Sequence, residues 1–210
     1  MLTLHTWTTP NGRKVPIMLE ELGLPYTIKT VNLKENEQFQ PAFLALSPNN
    51  KIPAIEDTDE NGKRFSIFES GAILTYLAEK TGKLLPISGP ERYKVLEWLH
   101  WQIGGLGPML GQVGFFTRSE EKSGLAIKHF VDEADRLLTV MDKQLSQHDY
   151  IAGAAYSIAD IACYPWAVGV LDKLKPALGD KLDSKPHLQR WLKRIGERPA
   201  VQRGMALPRI

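Results

Sequence analysis

Every convincing strand signal in this chain falls in its first third, and nothing after Phe68 reads as a strand. Leu2, Leu4 and Thr6 alternate over residues 2–7, the pattern of a short half-buried strand. Thr8-Thr9-Pro10-Asn11-Gly12 is a turn signal. Val15, Met18, Leu19 and Leu22 then recur at helical spacing, and Gly23 ends that helix. Pro25 opens a second strand, Tyr26 to Val31, so the first two strands form a parallel pair with a right-handed crossover.

The pattern continues with a short helix over 38–46, with Phe39, Phe43 and Leu46 on one face. Pro53 to Glu56 is a third strand. Asp59-Glu60-Asn61-Gly62-Lys63 is a hairpin turn, and Phe65 to Phe68 returns from it. Ser70 to Lys80 forms a helix with Ile73, Leu74 and Leu77 facing inward. The expected order is β-α-β-α-β-β-α. A Gly- and Pro-bearing stretch, Thr81 to Pro90, follows, and long helical patterns then run over about 91–114, 123–147, 157–173 and 186–196. The expectation is a small α/β domain over 1–84 and an all-helical bundle over 90–210.

Charge and cysteine usage narrow the function. The 26 basic and 24 acidic residues leave a net charge of +2, too balanced to argue for nucleic acid or an anionic membrane. No apolar run reaches bilayer length, and Met1-Leu2-Thr3-Leu4-His5-Thr6 lacks the pattern of a secretory signal, so the cytoplasm is the expected location. The single cysteine, Cys163, permits neither an intramolecular disulfide nor a redox site built from two cysteines of this chain. It lies in Ile161-Ala162-Cys163-Tyr164-Pro165, where it reads as a small hydrophobe. The five histidines show no metal spacing, and no metal is expected.

Two short segments suggest walls of a site. An X-Pro bond such as Ile52-Pro53 can be cis at modest cost, and proline cannot continue a central ladder. Ile52 could then present its N–H and C=O to an extended peptide, as an added strand would. The plainer reading is that Pro53 merely punctuates the strand. In Glu69-Ser70, a helix starting at Ser70 exposes N–H groups that attract an anion, and the Ser70 hydroxyl adds a donor. Glu69 could pair with an ammonium group. The plainer reading is that Ser70 is an N-cap. Ser157-Ile158-Ala159-Asp160 has the spacing of a capping box, with Tyr156 and Ile161 at the staple positions, and is read as a folding device.

In this order and spacing the pieces resemble the glutathione S-transferase superfamily over the whole chain. The resemblance implies a thioredoxin-like first domain and a helical second one. Most members place a Tyr, Ser or Cys after the first strand to hold the glutathione sulfur. This chain has Thr8-Thr9-Pro10-Asn11-Gly12, which is similar to the nu class and to the fungal nitrogen-regulator family. Gly105-Leu106-Gly107-Pro108-Met109-Leu110-Gly111-Gln112 and Asp160-Ile161-Ala162-Cys163-Tyr164-Pro165-Trp166 support that placement.

The resemblance implies that Thr9 and Asn11 approach the sulfur, while Ile52, next to Pro53, pairs with the cysteinyl unit. It implies that Glu69 and Ser70 hold the γ-glutamyl end and that Gln38 and Lys51 lie near the glycyl carboxylate. Arg136 would reach across a homodimer to a second glutathione. The implied activity is glutathione-dependent disulfide reduction, with weak peroxide reduction, and one glutathione disulfide or two glutathiones per site. The alternatives are conjugation of glutathione to electrophiles, with an apolar face around Phe115 and Phe116, and a non-catalytic glutathione-binding module.

Overall fold

The computed structural model describes residues 2–209. The described chain forms two compact units, one from residues up to Ile87 together with Arg198 onward, the other Ser88–Glu197. The first unit contains β1 (Leu2–Thr6), α1 (Pro10–Leu22), β2 (Tyr26–Thr30), α2 (Pro41–Leu44), β3 (Ala54–Thr58), β4 (Arg64–Phe68) and α3 (Ser70–Thr81). The second contains α4 (Pro90–Trp101), α5 (Gly107–Arg118), α6 (Gly124–Leu145), α7 (Ile158–Asp172), α8 (Lys175–Leu178) and α9 (Pro186–Gly196). The last helix, α10 (Pro199–Met205), belongs to the first unit. Among the described residues no helix is long and apolar enough to cross a membrane.

The first unit has the expected β-α-β-α-β-β-α order. Its strands lie side by side as β2-β1-β3-β4. β1 and β2 are parallel, and the other two pairs are antiparallel. Ile28, Leu4, Ile55 and Ile67 line up across the sheet at one level of that register. Leu4 and Ile55 are fully buried, as are Val15, Ile17, Met18 and Leu19 of α1 and Ile73, Leu74 and Leu77 of α3. Side chains alternate between sheet faces, so Ala54 serves a different cluster from Ile55. That second cluster joins Ala54 to Val31, Phe43 and Ile52, with Trp7, Leu33 and Leu46 packed around it.

The helix expected over 38–46 is broken. Glu37–Phe39 forms one 3-10 turn, Gln40 is extended at φ −67° and ψ 140°, and Pro41 starts α2 afresh. The residue before a proline is pushed out of the helical region, which accounts for the break. Phe39 is exposed as a result, and only Phe43 of the expected apolar face is buried.

Packing rather than local propensity makes α10. Gly204 lies against α1, where a Cβ would fall 2.5 Å from the Ile17 Cα. Arg198 holds Glu21 through two hydrogen bonds of 2.7 and 2.8 Å, and Arg203 holds Glu20 at 2.6 Å. Within the same unit Asp57 of β3 accepts from Tyr76 and Lys80 of α3. Burial opposes ionisation of Asp57, but the Lys80, Thr58 and Tyr76 hydrogen bonds outweigh it and hold the carboxyl below its ordinary range.

In the second unit the helix expected over 91–114 is interrupted by a π-turn, Gln102–Leu106, in which the Gly107 N–H reaches back to the Gln102 carbonyl. Pro108 has no N–H to offer, so the wider turn falls where regular pairing would fail. The capping box at Ser157 forms as expected. Asp160 accepts from the Ser157 N–H and hydroxyl, and also from Ile151 N at 2.9 Å and Trp191 Nε1 at 2.9 Å. It therefore ties α7 to α9 as well as starting α7. Burial pushes its carboxyl up to about 6 against those four hydrogen bonds.

Candidate functional site

The turn between β1 and α1 is built around Thr9 and Gly12. Thr9 is the N-cap of α1: its Oγ1 accepts from the Gly12 N–H at 3.0 Å, and its carbonyl accepts from Arg13 N at 3.0 Å. The hydroxyl oxygen accepts in that bond, which leaves its hydrogen to be donated elsewhere. Asn11 sits in the first turn just after Pro10 and is half-buried. Gly12 lies where three segments converge. A Cβ there would fall 2.1 Å from the Trp7 carbonyl, 2.8 Å from Thr6 Oγ1 and 3.2 Å from Ile52 Cδ1. Thr6 Oγ1 also donates to the Gly12 carbonyl at 2.8 Å. Gly12 thus brings the Thr9 turn against Ile52.

Ile52 lies in the loop before β3. The Ile52-Pro53 bond is cis. Pairing of β3 with both neighbours begins at Ala54, opposite His5 and Phe68, so Ile52 and Pro53 lie just beyond the last rung. Ile52 and Pro53 are buried, with Ile52 anchored in the Val31–Phe43–Ala54 cluster. The loop is pinned from below by Ser47, fully buried, whose hydroxyl donates to the Lys51 carbonyl at 2.8 Å. The Lys51 side chain is exposed.

At the mouth of α3 the structure overturns the N-cap reading of Ser70. Glu69 occupies the cap position, without a side-chain cap, and Ser70 is the first helical residue. Glu69 has φ 71° and ψ 115°, an unusual conformation for a residue with a side chain. Such backbone costs of order 1–3 kcal/mol and tends to persist at binding sites. The Glu69 side chain is exposed, whereas Ser70 is buried and its Oγ accepts from Lys14 Nζ of α1 at 3.3 Å. That contact links α3 to α1, as Gly12 links α1 to the Ile52 loop. Thr9, Asn11, Ile52, Pro53, Glu69 and Ser70 therefore stand on three segments locked to one another.

Gln38 lies in the 3-10 turn that precedes α2. Its Oε1 is buried and finds no hydrogen-bond partner among the described residues, an acceptor suited to the N–H of a peptide ligand. Arg136 is on the exposed face of α6, holding Glu133 through two hydrogen bonds of 2.7 Å. Sequence reading missed Gly12, Lys14 and Ser47. Only Gly12 left a local signal, as part of a turn. Among the described residues no group of His, Cys, Asp and Glu could hold a metal ion. Cys163 is fully buried in α7.

Comparison with known proteins agrees with this architecture. Residues 8–80 match the glutathione S-transferase N-terminal domain, and residues 108–199 match the C-terminal domain of the same enzymes. The disulfide-bond oxidoreductase YfcG of Escherichia coli (strain K12) is 45% identical, over 99% of this chain and 94% of its own. A glutathione transferase family member from Pseudomonas fluorescens, solved with two glutathiones bound, superposes with a TM-score of 0.94 at 44% identity, covering 99% of this chain and 93% of that one. One from Pseudomonas putida, solved with one glutathione disulfide per subunit, gives 0.91 at 44% identity, covering 99% and 91%. With both domains matched and the relatives similar from end to end, this chain belongs to the glutathione S-transferase family.

Proposed function

We propose that this protein is an enzyme that reduces disulfides with glutathione. The observation that carries the reading is the placement of Cys163. The single cysteine of the chain is fully buried in α7, so the exchanging sulfur comes from a bound ligand. The name of the E. coli relative and the glutathione disulfide held by the Pseudomonas putida enzyme support it. Glutathione supplies a thiol that, as thiolate, exchanges with a disulfide sulfur.

In this reading residues 1–84 carry glutathione and this chain's part is to bind and orient it. The Thr9 hydroxyl and the Asn11 amide donate toward the sulfur and favour its ionised form. A free thiol titrates near about 8.5, so a modest fall enlarges the reactive fraction at neutral pH. The Ile52 backbone, beside Pro53, pairs with the cysteinyl unit. Ser70 and the start of α3 take the γ-glutamyl carboxylate, and Glu69 takes the ammonium. Gln38 and Lys51 meet the glycyl end. The site accepts one glutathione disulfide or two glutathiones. The protein acts as a cytoplasmic homodimer, in which Arg136 leaves Glu133 to reach the partner's ligand. A reducing compartment suits both the reaction and the single cysteine.

The test is glutathione-dependent reduction of 2-hydroxyethyl disulfide, followed by coupling to glutathione reductase. Turnover well above the uncatalysed exchange is expected. A folded protein that adds nothing to the background rate would overturn the reading.

A further inference from the structure

We infer that Lys14 is a positioning residue, which acts through Ser70 to make the start of α3 select a carboxylate. The inference rests on the glutathione-binding reading above and concerns which end of that ligand the site discriminates. Lys14 is 1% exposed, in a run of α1 that also buries Val15, Ile17, Met18 and Leu19. Lysine is almost never buried this deeply unless it is paired, and one of its contacts here is with Ser70. An apolar side chain of similar length would fill the volume without the cost of desolvating an ammonium.

One of the Lys14 contacts reaches the start of α3. Lys14 Nζ lies 3.3 Å from Ser70 Oγ. An ammonium has donors only, so the serine oxygen accepts in this pair. A hydroxyl that accepts on its inner side keeps its own hydrogen to donate on another. Ser70 is thereby set up as a donor. It is the first residue of α3, and no side chain caps that helix. An anion arriving there meets the hydroxyl hydrogen and the first-turn N–H groups, with a buried cation behind the hydroxyl. A hydroxyl held as a donor favours an acceptor, and a charged one most of all. A neutral group at the same place gains less. Lys14 touches no ligand in this account. It fixes the polarity of the residue that does.

The test compares glutathione with γ-aminobutyryl-cysteinyl-glycine, the same peptide without the γ-glutamyl carboxylate, by calorimetry on the full-length protein. The wild type should prefer glutathione. In Lys14→Met that preference should fall about tenfold, while affinity for the decarboxylated peptide changes by less than about twofold. Ser70→Ala should lose a comparable preference, and the double variant should lose no more than either single one, since the two act as a unit. If Lys14→Met does not fold, Lys14→Gln carries the comparison, with an expected fall of about threefold. Equal weakening of both peptides, an unchanged preference, or additive losses would overturn the inference. A wild type that binds neither peptide would overturn the glutathione reading itself. A wild type that binds glutathione, with a Lys14 variant of unchanged preference, would overturn the inference about Lys14 alone.

Discussion

Thr9 Oγ1 accepts the Gly12 N–H at 3.0 Å, so the residue proposed to face the ligand sulfur also caps α1. A cap and a catalytic donor are different uses of one hydroxyl, and substitution can separate them. Thr9→Val should cost about 1 kcal/mol of stability, the usual worth of a cap. It should also lower kcat/KM about tenfold or more, the worth of a hydrogen bond to a charged atom. Thr9→Ser should restore both. A Thr9→Val enzyme that is less stable but fully active would reduce Thr9 to a cap.

Gly12→Ala should disrupt the site from within. The added Cβ would fall 2.1 Å from the Trp7 carbonyl, a backbone atom that cannot swing aside, and 3.2 Å from Ile52 Cδ1. Overpacking of this kind typically costs about 1–3 kcal/mol. Urea unfolding should show that loss, and glutathione affinity should fall with it because the turn and the Ile52 loop move together. Wild-type stability and affinity in this variant would mean that the three segments are not coupled through Gly12.

The Asp57–Lys80 contact makes a pH prediction with a definite sign. Asp57 is held below its ordinary value of 3.8 in the fold, by hydrogen bonds that outweigh its burial. Its contribution is therefore present above about pH 4 and is lost as the pH falls through the folded value. The Asp57 hydrogen bond raises Lys80 above 10.5, so its contribution is present below that pH and is lost as the pH rises further. Asp57→Asn should flatten both limbs of a plot of urea midpoint against pH. Lys80 is partly exposed, so high salt should shrink the effect. Limbs as steep as those of the wild type would contradict the assignment.

Asp160→Ala should strand two buried donors, Ile151 N and Trp191 Nε1, besides removing the capping box. At about 1–3 kcal/mol for each donor left unsatisfied, the loss should exceed that of a cap alone. Tryptophan fluorescence should report Trp191 losing its buried setting. A loss no greater than about 1 kcal/mol would leave Asp160 as a cap without a tertiary role.

These residues mark the limit of what the chain discloses before it is folded. The strands and long helices were legible because their apolar residues recur at period 2 or 3.6, and Gly23 ends α1 in the left-handed conformation that a glycine at a helix end implies. The capping box was legible because its partners are three residues apart. The Trp191 contact to Asp160 spans 31 positions and the Lys14 contact to Ser70 spans 56, and no local pattern encodes either. Helix α10 escaped because seven residues containing Gly204 are too short to declare a helix, and its contacts with Ile17, Glu20 and Glu21 supply the reason. At the candidate site, Glu69-Ser70 was legible as a pair and so was the helix start at Ser70, but the positive φ of Glu69 appears only in three dimensions.

The central claim is that the reacting thiol belongs to bound glutathione and none to the protein. The direct measurement is glutathione-dependent reduction of 2-hydroxyethyl disulfide by Cys163→Ala, beside the wild type. Because Cys163 is fully buried in α7, both proteins should turn over at the same rate, within about twofold once any change in folded fraction is taken into account. A folded Cys163→Ala protein without activity, beside an active wild type, would contradict the account.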